Sequence, residues 1–215
     1  MALPLPEALL RGFNVSRESL GRLQAYVELL LSWQARINLV GPSTVDEIWR
    51  RHVADGLQLL PLLPPAPAIL ADLGAGAGIP GLIVAIAYGH HVHLYESAGK
   101  KAAFLREAIR RTGAPATVHA IRIETLADAG TERPKVSAVL ARAFAPLPKL
   151  LTLAEPFLND GAIGLFHKGQ DVDLELKNAT SYWKMLYEKH PSPVDSRGVI
   201  LVVKEIARVQ SGANR

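Results

Sequence analysis

The sequence predicts an α/β fold, a doubly wound sheet whose last strand runs antiparallel, preceded by a small N-terminal helical segment. Three observations predict it. After residue 67, short apolar runs alternate with helical patterns, the order that builds a mostly parallel sheet. The first of these runs, residues 68–73, leads straight into glycines at 74, 76, 78 and 81. Ahead of it, four prolines fall within residues 61–67, and proline suits neither a helix interior nor a central strand. The chain therefore divides into a helical segment, 1–66, and an α/β domain, 67–215.

The elements follow in order. Ser16 reads as a helix N-cap, and Leu20, Leu23, Val27, Leu30, Gln34 and Ile37 follow at three-to-four spacing. Thr44 and Glu47 read as a capping box opening a helix that carries Ile48, Val53, Leu57 and Leu60 and stops at Pro61. Residues 68–73 form a buried strand and 82–88 a helix, and His93-Leu94-Tyr95 ends a second strand. Residues 100–112 are helical and Gly113 stops them. Strands at 117–121, 136–140 and 162–166 flank a helix at 148–157. Residues 173–188 read as helix, and the β-branched run 199–203 as a last strand added antiparallel at the sheet edge.

Composition narrows the classes. With 215 residues, 49% of them apolar, the chain is long enough for one sizeable core. No apolar run reaches the roughly 20 residues a membrane span needs, and Met1 to Pro6 lacks a secretory pattern. The absence of cysteine excludes disulfides and thiolate metal sites and points to a reducing cytoplasm. The net charge is +4. Its excess follows Glu96, at Lys100, Lys101, Arg106, Arg110, Arg111 and Arg122, which suits a polyanionic partner or a merely solvated face.

In an open α/β sheet a ligand sits outside the carboxyl ends of the strands, so the glycine loop is the candidate cofactor site. Two fingerprints overlap there. Gly76-Ala77-Gly78-Ile79-Pro80-Gly81 fits the dinucleotide pattern G-x-G-x-x-G. Asp72, Gly74, Gly76 and Gly78 fit the D-x-G-x-G-x-G loop that holds S-adenosylmethionine. The second is favoured because the glycines begin at Gly74 and an acid closes the strand. A carboxylate attracts the ammonium of a methionine moiety and repels a pyrophosphate. Pro80 falls where helix position N1 is expected. Glu96, ending the second strand, is positioned for ribose hydroxyls under either cofactor, and Ile123-Glu124 follows the third strand, where an adenine would lie.

The motifs together resemble the RsmG (GidB) family, bacterial methyltransferases acting on a guanine N7 of 16S ribosomal RNA. The resemblance runs over nearly the whole chain: Arg36-Ile37-Asn38-Leu39-Val40, Arg51-His52-Val53-Ala54-Asp55, Asp72 through Gly81, Glu96 through Arg106, Ala141 through Leu147, and His167-Lys168-Gly169. It implies a class I, Rossmann-like methyltransferase sheet, S-adenosylmethionine as cofactor, and the 16S rRNA of the small subunit as partner. It carries the cofactor-contacting positions onto Gly74, Ile79, Ile123, Glu124 and Arg142. Three residues depart from the pattern: Gly56 and Ala141 where serine is usual, and His167 where leucine is usual.

Guanine N7 has a free lone pair, so methyl transfer to it requires no general base, only alignment. Arg142 is expected at the methyl-transfer pocket, positioning phosphate or the guanine O6 edge, with a salt bridge to Glu96 or Asp72 as its competing role. Loss of Arg142 to alanine is expected to abolish transfer and spare the fold. Asn38, His52 and Asp55 form a candidate polar face, His52 and Asp55 being helix neighbours. Lys100, Lys101, Arg106 and Lys168 are the candidate RNA contacts. No metal is expected, and the chain is read as a monomer. The other readings are a nicotinamide- or flavin-dependent oxidoreductase and a non-catalytic ribosome-binding module.

Overall fold

A computed structural model describes residues 5–127 and 132–209; the first four residues of the N-terminal stretch read above lie outside them. Seven strands form one sheet: β1 (Ile69–Leu73), β2 (His91–Tyr95), β3 (Ala116–His119), β4 (Ala138–Arg142), β5 (Ile163–Lys168), β6 (Trp183–Pro191) and β7 (Val199–Arg208). Their order is β3-β2-β1-β4-β5-β7-β6. The first five are parallel, and β7 runs antiparallel to β5 and β6. The order reverses between β1 and β4, which puts the ligand cleft outside the ends of those two strands.

Burial on both faces explains the continuous apolar runs. In β1, Leu70 packs into one core while Ala71 and Leu73 pack into the other, the period of two that a strand imposes. One face is covered by α2 (Arg17–Gln34), α4 (Gly81–Tyr88) and α5 (Gly99–Thr112), the other by α6 (Leu147–Asn159) and α7 (Val172–Ala179). The short α1 (Glu7–Leu10) precedes them. Among the described residues no helix is long and apolar enough to cross a membrane.

The N-terminal segment shares the core of the sheet. Ser16 caps α2, accepting from the Ser19 N–H at 3.1 Å. Leu23, Val27 and Leu30 join the cluster that holds Leu70 and Phe104. Arg22 donates to the carbonyls of Thr112 and Gly113, at 2.6 and 2.8 Å, covering the negative end of α5. Tyr26 is fully buried, and its hydroxyl donates to the Ala77 carbonyl at 2.7 Å. That bond ties α2 directly to the glycine loop.

Several expectations change. The Thr44 capping box does not form. Thr44 ends a 3-10 turn, and its hydroxyl donates to the Gly41 carbonyl and meets His52, while Glu47 faces Arg50 at 3.9 Å. The following segment is a π-helical turn, Trp49–Ala54, that runs into α3 (Asp55–Leu57), and a 3-10 turn carries the chain over Pro61. Pro80 sits at the N-cap of α4, one residue before the helix begins. The helix expected over 173–188 stops at Ala179, and β6 follows. Val172, Leu176, Ala179, Trp183 and Leu186 keep helical spacing across that break, which hides it, yet Leu186 is 53% exposed. Consequently β7 is not the edge; β6 lies outside it.

Tyr26→Phe leaves the Ala77 carbonyl without its donor. The expected loss is about 1 kcal/mol of unfolding free energy, read as a lower urea midpoint at unchanged slope. An unchanged midpoint would mean this anchor holds nothing.

Candidate active site

The turn after β1 is built by close approach. Gly74 has φ +72°, and a Cβ there would lie 2.1 Å from the Phe144 ring. A Cβ on Gly81 would lie 2.6 Å from Asp72 Oδ2. Glycine is therefore required at both positions. The N–H groups of Gly74 and Ala75 donate to the Tyr95 carbonyl at 3.0 and 2.9 Å, which fixes the loop against β2.

Asp72 lies beneath this loop rather than in front of it. It is fully buried, and its Oδ2 accepts from the Gly81 N–H at 2.9 Å. Burial pushes its carboxyl up to about 7, although the Gly81 bond and Arg142 pull it down. It does not line the cavity above the loop. The sequence suggests a contact with a methionine ammonium, direct or through water; at this depth the carboxylate's own bond braces β1 against the start of α4.

That cavity has a volume of about 550 Å³, within the range of small-molecule sites. Gly74, Gly76 and Ile79 form its floor, with Glu96, Ile123 and Glu124 on its wall. Glu96 is 8% exposed, and its two oxygens accept from Gly76 N–H at 2.9 Å and Ala98 N–H at 2.7 Å. Each oxygen retains a lone pair for a hydroxyl donor. Glu124 faces Lys149 at 3.8 Å. Leu39, Val40 and Gly41 close the rim from the N-terminal segment. Gln34 holds them there: its Oε1 accepts from the Leu39 and Val40 N–H groups, and its Nε2 donates to the Val40 carbonyl.

Arg142 ends β4 and lines this cavity together with a second one. Its ion-pair partner is Asp55, Nε to Oδ2 at 2.6 Å, and neither Glu96 nor Asp72. Its Nη1 donates to His52 Nδ1 at 3.0 Å, and its Nη2 donates to the Arg51 carbonyl at 2.8 Å. A guanidinium only donates, so His52 Nδ1 is bare and Nε2 carries the proton. Nε2–H therefore donates to Thr44 Oγ1 at 2.8 Å. Burial first, then Arg142 and Arg51, push His52 down to about 3. Asp55 also accepts from Gln58 Nε2 at Oδ1, and its carbonyl accepts from His167 Nε2 at 2.8 Å.

The remaining sequence candidates separate. Lys101 lines the cofactor-sized cavity, whereas Lys100 and Arg106 are exposed on α5 outside its wall. Asn38 is exposed beside the Leu39 rim. Lys168 is no open phosphate contact. Its side chain is 6% exposed and donates to Glu175 at 2.7 Å and to the Ala145 carbonyl at 3.0 Å. Phe144, Thr44, Gln34 and Glu175 carry parts of the site that the sequence reading did not single out. Phe144 was legible in its segment; Gln34 and Thr44 act within eight residues of their partners but outside any helical or strand period, and Glu175 reaches Leu147 across 28 residues.

Carboxylate, apolar wall and glycine floor fit S-adenosylmethionine: Glu96 for ribose hydroxyls, Ile79 and Ile123 for an adenine face, and bare backbone for the methionine part. The family described as rRNA small subunit methyltransferase G (GidB) matches residues 19–198. The chain belongs to that family. It is 52% identical over 195 residues to Ribosomal RNA small subunit methyltransferase G of Rhodospirillum centenum, covering 91% of this chain and 88% of that one. It is 48% identical over 213 residues to the protein of the same name from Methylorubrum populi, covering 97% and 99%. Two solved structures are similar in fold. A putative O-methyltransferase from Klebsiella pneumoniae aligns with TM-score 0.56 at 13% identity, over 93% of this chain and 95% of that one. M. jannaschii TYW2 in complex with AdoMet aligns with TM-score 0.53 at 15% identity, over 81% and 80%. Membership in the methyltransferase G family makes the chain an S-adenosylmethionine-dependent methyltransferase and sets aside the oxidoreductase reading.

The neutral His52 has a consequence for stability. Unfolded, it titrates near 6.5, whereas folded it stays neutral down to about 3. Its contribution is present above pH 6.5 and is lost as pH falls toward 3, at no more than about 1.4 kcal/mol per pH unit. The stability advantage of the wild type over His52→Gln should shrink between pH 7 and pH 4 in urea titrations. A gap independent of pH would show that His52 takes up a proton in the fold.

Proposed function

We propose that the chain transfers the methyl group of S-adenosylmethionine to N7 of one guanine in the 16S rRNA of the small ribosomal subunit. The observation that carries this reading is the pair of cavities meeting at Arg142-Ala143-Phe144-Ala145, in a chain whose relatives carry the name of that enzyme.

S-adenosylmethionine supplies an electrophilic methyl on a sulfonium. The chain's own residues have to orient and desolvate. His52 has both ring nitrogens engaged and is neutral, so it is no proton acceptor, and N7 needs none. Catalysis then rests on holding N7 in line with the methyl. Three of the five Arg142 N–H groups are engaged by Asp55, His52 and Arg51. The two that remain serve the guanine O6 edge or the cofactor. Because its partners pin it, Arg142 acts as a positioned donor rather than a mobile clamp.

In this reading residues 1–66 form the substrate-side appendage of the catalytic domain 67–215. Asn38 flanks the rim, Lys100, Lys101 and Arg106 meet RNA phosphates along α5, and Asp72, Gly74, Gly76, Gly78, Ile79, Glu96, Ile123 and Glu124 hold or brace the cofactor. The chain works as a monomer, without a metal, in the cytoplasm where small subunits are made.

Labelled S-adenosylmethionine and small subunits lacking the modification test the reading: label should appear on one guanine N7, located by mass spectrometry. No transfer, with S-adenosylmethionine bound, would favour a non-catalytic ribosome-binding module. Glu96→Gln should weaken S-adenosylmethionine binding at least about tenfold, the worth of one charge-assisted hydrogen bond, read by calorimetry. Arg142→Ala would strand Asp55 without its partner and destabilise the fold, so Arg142→Lys is the cleaner variant. It keeps a charge for Asp55 and loses the His52 and Arg51 bonds. Transfer should fall about 100-fold; transfer at the wild-type rate would remove Arg142 from the chemistry.

A further inference from the structure

The second cavity, about 650 Å³, shares the Arg142–Ala145 wall with the first. Its charge is the reverse of what a polyanion needs. Asp55, Asp171, Glu175 and Asp195 line it, against Arg142 and Lys168. Both cations are already ion-paired, Arg142 with Asp55 and Lys168 with Glu175. A phosphate would be repelled here. A nucleobase carrying N–H donors would be held.

We infer that Glu175 reads the target guanine, accepting from its N1–H and N2–H groups when the base is swung out of its stack into this cavity. The inference rests on the function proposed above. Glu175 stands on α7. Its Oε2 is clamped by the Leu147 N–H at 2.6 Å and by Lys168 Nζ at 2.7 Å. Among the described residues its Oε1 accepts no hydrogen bond, so that oxygen is held in place with both lone pairs open. The side chain is only 25% exposed, where a carboxylate–donor contact counts for more than in water.

The shape of guanine supplies the rest of the argument. N7 lies at one end of the base, and N1–H and N2–H lie at the other. A base whose N7 faces the cofactor cavity past Phe144 turns its donor edge away from that cavity and into the second one, which Glu175 lines. Adenine would present a lone pair at N1 to that carboxylate and be repelled. Pyrimidines have no N7. Enzymes acting on a base extrude it into such a pocket and read it by that edge.

Charge development strengthens the contact as the reaction proceeds. When the N7 lone pair forms its bond to carbon and the sulfur–carbon bond breaks, the base becomes cationic and the cofactor becomes neutral. N1–H and N2–H become stronger donors, and the bond to Glu175 becomes charge-assisted on both sides. An interaction that is stronger in the transition state than in the ground state raises kcat rather than lowering KM. The carboxylate-rich lining favours the same cationic product.

The test compares wild type with Glu175→Gln. Glutamine keeps an oxygen for Leu147 and Lys168 and sets an NH2 where Oε1 stood. In Glu175→Gln protein that folds and binds S-adenosylmethionine as the wild type does, kcat on unmodified small subunits should fall about 10- to 100-fold, with KM within threefold. In parallel, wild-type protein is given subunits reconstituted with inosine at the labelled position. Inosine lacks only the N2 amino group, and kcat/KM should fall about tenfold. Wild-type kcat in a folded, cofactor-binding Glu175→Gln protein overturns the inference. Equal rates on inosine and guanine also overturn it, and that comparison decides alone if the variant does not fold. A wild-type protein that methylates no guanine N7 overturns the proposed function itself, and is recognised because the unmutated enzyme is the inactive one.

Discussion

The ion pair between Arg142 and Asp55 holds the site together. Arg142 ends β4, next to the point where strand order reverses, and Asp55 starts α3 at the end of the π-helical turn. Their 2.6 Å contact joins the sheet to the N-terminal segment. His52 and the Arg51 carbonyl complete the guanidinium's surroundings, so one side chain positions a full turn of the adjoining helix. The relay continues through Thr44 to the Gly41 carbonyl, on the rim of the cofactor cavity. From β4 to the rim, every step is a directional bond with one possible donor. That determinacy lets a segment outside the sheet form part of the wall.

The π-helical turn follows from the same demand. A regular helix advances 3.6 residues per turn, and a π-turn inserts one more, a device common at functional sites. Here the widened turn carries Arg51, His52 and Asp55 toward a single guanidinium. His167, where the family usually has leucine, anchors the Asp55 carbonyl from β5. It adds a polar support to that turn.

Features that depend on local pattern were legible in the sequence. The parallel core strands, the glycine turn and the helix Gly113 ends all follow from composition over a few residues, and the structure has them within a residue or two. Misread parts depend on something non-local or coincidental. Residues 172–186 keep helical spacing through a turn, so only pairing with β7 reveals β6 as a strand. Thr44 has the chemistry of a cap, yet a histidine eight residues away claims its hydroxyl. Asp72 and Lys168 were located correctly along the chain but misjudged in depth: one lies under the loop and the other inside the fold. The bond from Tyr26 to the glycine loop spans 51 residues, beyond any periodicity argument.

The electrostatic layout divides the labour of handling a polyanion whose base becomes a cation. Positive charge sits outside, along α5, where Lys100 and Arg106 are exposed and Lys101 reaches the cofactor cavity. Long-range attraction to phosphates operates from such a surface and weakens with salt. Inside, the second cavity is richer in carboxylates than in cations, and both of its cations are neutralised by close partners. A phosphate drawn to the surface therefore gains nothing by entering, while a base that enters gains an acceptor wall. Attraction at long range and discrimination at short range need opposite signs here. The fold separates them by placing α5 beyond the end of β2 and α7 beyond the end of β5, on opposite sides of the switch point.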